Sequence, residues 1–245
     1  MVNMKKISKK TSAIIWSIMY LLVVALSIVC VTTYFHKLYY SFYYVDGKSM
    51  YPTLNINEKG NLNKDFGIID AHPSIFSHLV RYDIVVAHYP EDYNENGKLK
   101  DNATSKIKRV IGFPGETIVT FERGFAIYTD GHTPSGEEAY EAESYYVDGE
   151  KYDLSTLPYT PNNTSSLKKV SYYLNRAGEN DSEEDQYFVL GDNWGNSNDS
   201  TNTSVGPVKR SMLTGILIAI QGQCDIDNNG EAVNLRYTTP KYYKL

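Results

Sequence analysis

Lys106-Ile107-Lys108-Arg109-Val110-Ile111-Gly112-Phe113-Pro114-Gly115-Glu116-Thr117-Ile118-Val119-Thr120-Phe121 is the stretch on which the fold turns. It holds two short β-branched or aromatic runs, Lys106 to Phe113 and Thr117 to Phe121, separated by Pro114-Gly115. Runs of that length bounded by Gly, Pro and polar clusters read as strands. The same reading applies to Asp83 to His88, Tyr187 to Leu190 and Gly215 to Ile220. Tyr145 to Tyr152 adds a hairpin signal, with Asp148-Gly149 at the turn, where positive φ is needed. No long amphipathic helix is readable after residue 45. The expectation is an all-β fold with an antiparallel β-sheet core.

Alternation along a strand puts Lys106 and Lys108 on one face and Ile107 and Arg109 on the other. Periodicity alone therefore leaves the burial of Lys108 open. The question matters because of a second stretch, Gly47-Lys48-Ser49-Met50-Tyr51-Pro52-Thr53-Leu54, which sets a serine in a Gly/Pro-bounded turn. A serine hydroxyl is a poor nucleophile until a base takes its proton. A lysine serves as that base only when burial lowers its pKa from ~10.4, by up to ~3–5 units. The plain alternatives are a turn serine bonded to local backbone and a solvated strand lysine.

From Thr11 to Phe35 the chain has no charged residue, and Ala13 to Val31 is almost continuously apolar. A helix of that length spans the ~30 Å hydrocarbon core of a bilayer. Lys5, Lys6, Lys9 and Lys10 precede it, and only Lys37 and Lys48 follow closely, so the positive-inside rule places the N-terminus in the cytoplasm. Tyr34, Phe35, Tyr39, Tyr40, Phe42, Tyr43 and Tyr44 follow as an interfacial aromatic belt would. The rival is a cleaved signal peptide with Ala25-Leu26-Ser27 as its small-x-small triplet, but the apolar run continues through Val31.

A net charge of −5 with no basic block argues against nucleic acid as a partner. Twenty-two tyrosines suit strands near a membrane interface. Cys30 lies in the apolar segment and Cys224 near the end, so no disulfide is expected. His36, His72, His78, His88 and His132 show no metal-ligand spacing; no metal or other cofactor is expected.

Four blocks in order carry a resemblance: Ser49 to Leu54, Arg81-Tyr82-Asp83-Ile84-Val85-Val86, Lys108 to Glu116, and Gly191-Asp192-Asn193-Trp194-Gly195-Asn196-Ser197-Asn198-Asp199-Ser200. Together with the anchor the chain resembles the type I signal peptidases of Gram-positive kind, membrane-anchored serine proteases that cut leader peptides from exported preproteins. The resemblance implies Ser49 as nucleophile and Lys108 as general base. Ser197 would aim the lysine amine, and the Ser49 N–H would supply the oxyanion donor. Gly47 stands where some relatives carry a hydroxyl for that oxyanion. Asp192 and Asp199 would pair with arginines, Arg109 among them. Met50, Ile84, Val86 and Phe113 are candidates for lining the substrate pockets, although plain core packing explains them equally well.

The implied organisation is a tail over 1–11, an anchor over 12–35, a catalytic β-domain over 36–122 and 186–245, and a small inserted cap over 123–185. The implied partners are preproteins with Ala-x-Ala-like sites, the lipid bilayer of a bacterial cell membrane and the secretion translocase. Three residues depart from the pattern: Trp194 and Thr201 occupy positions where the family usually has arginine, and Tyr82 one where glycine is common. The expectation is that Arg109 pairs with one carboxylate while the other is solvated or reached by Lys209 or Arg210. The departure motivates an alternative, a non-catalytic or narrowly dedicated relative assisting assembly of surface-fibre subunits.

Overall fold

The structure is a computed structural model that describes residues 9–132 and 140–244. Lys5, Lys6 and most of the basic tail lie outside the described residues, as does a short part of the expected cap. Two units separate, residues 1–41 and residues 42–245.

The first unit is dominated by helix α1 (Lys9–Tyr39), a few residues longer at each end than the expected anchor. Its exposed surface is apolar on all sides, the pattern of a helix whose surroundings are themselves apolar. The hydroxyls of Ser27, Thr32 and Thr33 donate back to carbonyls one turn earlier. Each of these three hydroxyls is thereby satisfied within the helix. By length and composition α1 is the one described helix able to cross a membrane. The aromatic run is divided by it: Tyr34, Phe35 and Tyr39 are helical, whereas Tyr40, Phe42, Tyr43 and Tyr44 form strand β1 (Tyr40–Tyr44).

The remaining strands in chain order are β2 (Lys64–Asp70), β3 (Ile84–Ala87), β4 (Lys106–Gly112), β5 (Thr117–Phe121), β6 (Gly124–Tyr128), β7 (Ser144–Val147), β8 (Glu150–Asp153), β9 (Val170–Tyr173), β10 (Gln186–Leu190), β11 (Val208–Lys209), β12 (Leu213–Ile226) and β13 (Ala232–Tyr242). Beyond α1 the described helical segments are short 3-10 turns. The all-β expectation therefore holds for the described residues after the N-terminal helix. One sheet runs β1-β2-β12-β3-β4-β10-β11, with β13 also on β12, and its central pairs are antiparallel. A second sheet runs β8-β7-β6-β5-β9, antiparallel except where β6 meets β7. It starts at β5, directly after the lysine strand. Asp148 and Gly149 both have positive φ at the β7–β8 turn, as the Asp-Gly signal requires.

Successive β4 residues feed different cores, as strand alternation dictates. Val110 packs with Val85, Val189 and Ile216, while Ile111 packs with Ile118, Phe125, Phe188, Leu190 and Trp194. The second of these clusters is shared between the two sheets. A third cluster lies beneath the Ser49 turn and holds Met50, Leu54, Ile84, Val86 and Ile107. Both cysteines are free thiols.

Candidate active site

The turn that carries Ser49 is built by an asparagine the sequence did not single out. Asn55 donates its side-chain amide to the carbonyls of Val45 and Gly47, at 2.8 Å each. It also exchanges bonds with Asp65: the Asn55 N–H reaches the carboxylate at 2.7 Å, and the Asp65 N–H reaches the Asn55 amide oxygen at 2.7 Å. Gly47, at φ +75°, makes the left-handed bend into the turn. Just beyond it Met50 and Leu54 are buried, and the Leu54 N–H closes a helical turn onto the Met50 carbonyl. Apolar plugs on one side leave Ser49 presented on the other.

Lys108 meets it there. Its Nζ donates to Ser49 Oγ at 2.8 Å and to the Ile107 carbonyl at 2.9 Å. Only 3% of the residue is exposed. Burial lowers its pKa to about 8; Asp199 and Asp192 pull the other way, and Lys106 adds to the lowering. Desolvation opposes the charged form, so the strand holds a lysine that is readily neutral, within hydrogen-bond reach of a serine.

The stretch from Gly191 to Thr201 closes over the turn. A Cβ at Gly191 would collide with Ser197 Oγ and the Ser49 carbonyl, so only glycine lets these segments approach. Arg109 grips Asp192 with two nitrogens, Nε at 2.8 Å, and gives a third bond to the Tyr82 carbonyl at 2.7 Å. Thr53 donates its hydroxyl to the same carboxylate, and the ring of Tyr159 lies 4.1 Å from the guanidinium carbon. Burial works against the charge on Arg109, but Asp192 more than compensates and its pKa is raised. The pairing of Arg109 with one carboxylate is as the sequence suggests.

The second carboxylate corrects the expectation. Asp199 is buried and is neither solvated nor paired with Lys209 or Arg210. It accepts from the Gly191 N–H at 2.9 Å and from the Thr201 N–H and hydroxyl at 3.1 and 2.7 Å. Thr201 thus supplies from two residues away the donors that a distant cation would otherwise bring. Arg210 instead stacks on Phe76 at 3.6 Å. Trp194, at the other usual arginine position, is fully buried in the core shared by the two sheets and meets Phe125 edge to face.

Ser197 does not bond to Lys108. Its Oγ is buried without a hydrogen-bond partner, lodged between Gly191 and the turn that carries Ser49. Of the pocket candidates, Met50, Ile84 and Val86 lie together beneath Ser49. Phe113 is elsewhere, packed on Tyr187 and under Arg81. A groove of about 790 Å3 carries Ser49 and Lys108 on its wall, with Tyr43, Tyr44, Asp46, Ser105 and the turn at Gly230 completing it. Asp92, the carboxylate nearest His88 at 3.8 Å, is engaged by Lys106. Among the described residues no cluster of His, Cys, Asp and Glu could hold a metal ion.

Asn193 and Asn162 are functional candidates that sequence reasoning missed. The Asn193 N–H donates to the Ser49 carbonyl at 3.0 Å and its side-chain amide to the Lys48 carbonyl at 2.8 Å. Asn162, in the segment between β8 and β9, donates to the Asn193 side chain at 2.8 Å. Asn193 stood inside a motif and was readable in principle. Asn162 carried no signal, because its contact depends on how the segment between β8 and β9 folds back.

The family model described as "Signal peptidase, peptidase S26" matches residues 15–220. Signal peptidase I of Bacillus amyloliquefaciens is 27% identical, covering 86% of this chain and 89% of that protein. Signal peptidase I T of Bacillus subtilis (strain 168) is 30% identical over 71% of this chain and 69% of its own. A crystal structure of a signal peptidase I from Enterococcus faecalis V583 is 24% identical and covers 57% of this chain and 96% of that one. The TM-score of that superposition is 0.28, too low to bear on the fold.

Proposed function

This chain belongs to the signal peptidase family, peptidase S26, and on that premise we propose that it is a membrane-anchored serine endopeptidase that removes N-terminal signal peptides from exported preproteins. Ser49 is the nucleophile and Lys108 the general base. The observation that carries this reading is the 2.8 Å contact between Lys108 Nζ and Ser49 Oγ at a desolvated position.

With a pKa of about 8, roughly one Lys108 in ten is neutral at pH 7. The neutral amine takes the Ser49 proton as Oγ attacks the scissile carbonyl. The ammonium returns that proton to the departing amine, leaving an acyl-enzyme, and water activated by the same lysine releases the signal peptide. The negative charge that develops on the carbonyl oxygen needs a preorganised donor; no described residue accepts the Ser49 N–H, which leaves it available. Gly47 contributes no side-chain donor, so the oxyanion site rests on backbone.

The preprotein lies extended along the groove between β1 and the segment leading into β4. Ile107 lines the groove beside the dyad, whereas Met50, Ile84 and Val86, expected to line the substrate pockets, are buried in the core beneath it. Helix α1 is the bilayer anchor, and the lysines before it set the N-terminus in the cytoplasm. The alternative, a non-catalytic assembly partner, drew its motive from Trp194 and Thr201. Thr201 satisfies Asp199 and Trp194 is packed in a core, so neither substitution leaves the site unsupported.

The test is processing of a preprotein with an Ala-x-Ala site by the detergent-solubilised full chain, beside Ser49→Ala and Lys108→Met. Correct cleavage by wild type and none by either variant supports the reading. Folded wild type that cuts no preprotein would return the assembly partner to first place.

A further inference from the structure

An oxyanion site made of backbone is only as good as the orientation of one peptide plane. In a trans peptide the C=O and the following N–H point in opposite directions. Whatever grips the Lys48 carbonyl therefore aims the Ser49 N–H. That carbonyl is held by the Asn193 side-chain amide at 2.8 Å and by the Tyr51 N–H at 3.1 Å, and the next carbonyl, that of Ser49, by the Asn193 N–H at 3.0 Å. Asn193 thus bonds both peptide units around the nucleophile.

Asn193 is in turn set from outside the catalytic sheet. A backbone carbonyl can only accept, so Asn193 must turn its NH2 towards Lys48 and its oxygen away. That oxygen accepts from the Asn162 NH2 at 2.8 Å, and the Asn162 oxygen accepts from the Thr164 hydroxyl at 2.9 Å. The polarity is consistent from end to end, and each amide has a single productive orientation. Two backbone bonds hold the segments in register: the Asn162 N–H to the Asp192 carbonyl at 2.7 Å, and the Trp194 N–H to the Asn162 carbonyl at 3.1 Å. Trp194 then pins the strip into the core shared by both sheets.

We propose that Asn162, in the inserted segment, is a positioning residue for the oxyanion site, acting through Asn193 and the Lys48 carbonyl on the Ser49 N–H. The inference rests on the peptidase reading given above. It gives the insert a part in the reaction beyond covering the sheet. Asn162 touches neither substrate nor dyad, and its contribution is realised only when charge builds on the substrate oxygen.

The experiment is a double-mutant cycle on the full chain in detergent, using Asn162→Ala, Asn193→Ala and the pair, with preprotein cleavage measured across pH. Removing an oxyanion donor outright lowers kcat by ~10²–10³-fold, so loosening one lowers it by roughly ten- to a hundredfold. The expected result for Asn162→Ala is a loss of that order in kcat, with KM little changed and the acid limb of the pH profile unmoved. The pair should be no worse than Asn193→Ala alone, because both act through one contact. Asn162→Asp, which keeps the shape and loses the donor, should repeat the loss if the alanine variant folds poorly. Unchanged kcat in Asn162→Ala, additive losses in the pair, or a shifted acid limb would each overturn the proposal. Wild type that cuts no preprotein removes the peptidase reading instead. The Ser49 amide resonance then decides this inference, since it must shift in Asn162→Ala if that residue sets the peptide plane and stay put if it does not.

Discussion

Lys108 destabilises the fold while it is charged, and the sign of that effect can be worked out. Its folded pKa is about 8, against 10.5 unperturbed. Between those values the unfolded chain holds a proton that the folded chain has released, so stability rises with pH through that window. Below pH 8 both states are protonated and the full penalty applies, about 3 kcal/mol. Lys108→Met should therefore be the more stable protein at pH 7, by a margin of that order that shrinks as pH approaches 10.5. Denaturant titrations at pH 7 and pH 10 check both the margin and its loss. Thr201→Val makes a separate case. It leaves the buried Asp199 short of a hydroxyl donor, which should cost about 1–3 kcal/mol, seen as a lowered melting temperature with the dyad intact. The contact between Ser49 and Lys108 was legible because each residue sits in a compact motif. Asn55 and Asn162 were not, since a polar residue in a turn looks the same whether it faces solvent or a partner remote in the fold. Nor could the sequence say that Asp199 would be satisfied by its near neighbour instead of a cation.

Among the elements, the Gly191–Thr201 stretch joins the two sheets. Its tryptophan is the plug: Trp194 is wholly buried against Phe125 and its neighbours. Truncation to alanine should cost about 3–5 kcal/mol through lost burial and the cavity left behind. Calorimetry should show that loss. Cleavage by the fraction still folded should also fall, because Asn193 moves with its neighbour. The strand runs were readable where nearly the whole strand is buried, as in β4, β5 and β10, and so was the turn between β7 and β8. β13 was not. Its residues are mostly exposed, so the apolar alternation that announces a strand is missing, and β12 extends past its readable apolar run into Gln221 to Ile226, where glutamine, glycine and aspartate interrupt the apolar signal.

Across the whole molecule the chain divides into a helix that is apolar all round and a β-unit with its own cores. The division was legible from charge and hydropathy, since a long uncharged run is unmistakable. The folded-back path of the segment between β8 and β9 was not, because it depends on pairings remote in sequence, such as Asn162 with Asn193. A chain beginning at Leu38 keeps β1 whole and should fold, retain cleavage of a short soluble peptide carrying an Ala-x-Ala site, and lose binding to lipid vesicles. Sedimentation with vesicles and a peptide assay read the two properties separately.

The central claim is that a neutral lysine, and no other group, takes the proton from Ser49. The dependence of kcat/KM on pH for preprotein cleavage tests it most directly, because its acid limb reports the base of the free enzyme. The account expects activity to rise with pH along a limb centred near 8, the value burial gives Lys108. A limb centred near 6.5, where imidazole titrates, or a rate that is flat from pH 6 to 9 would contradict it.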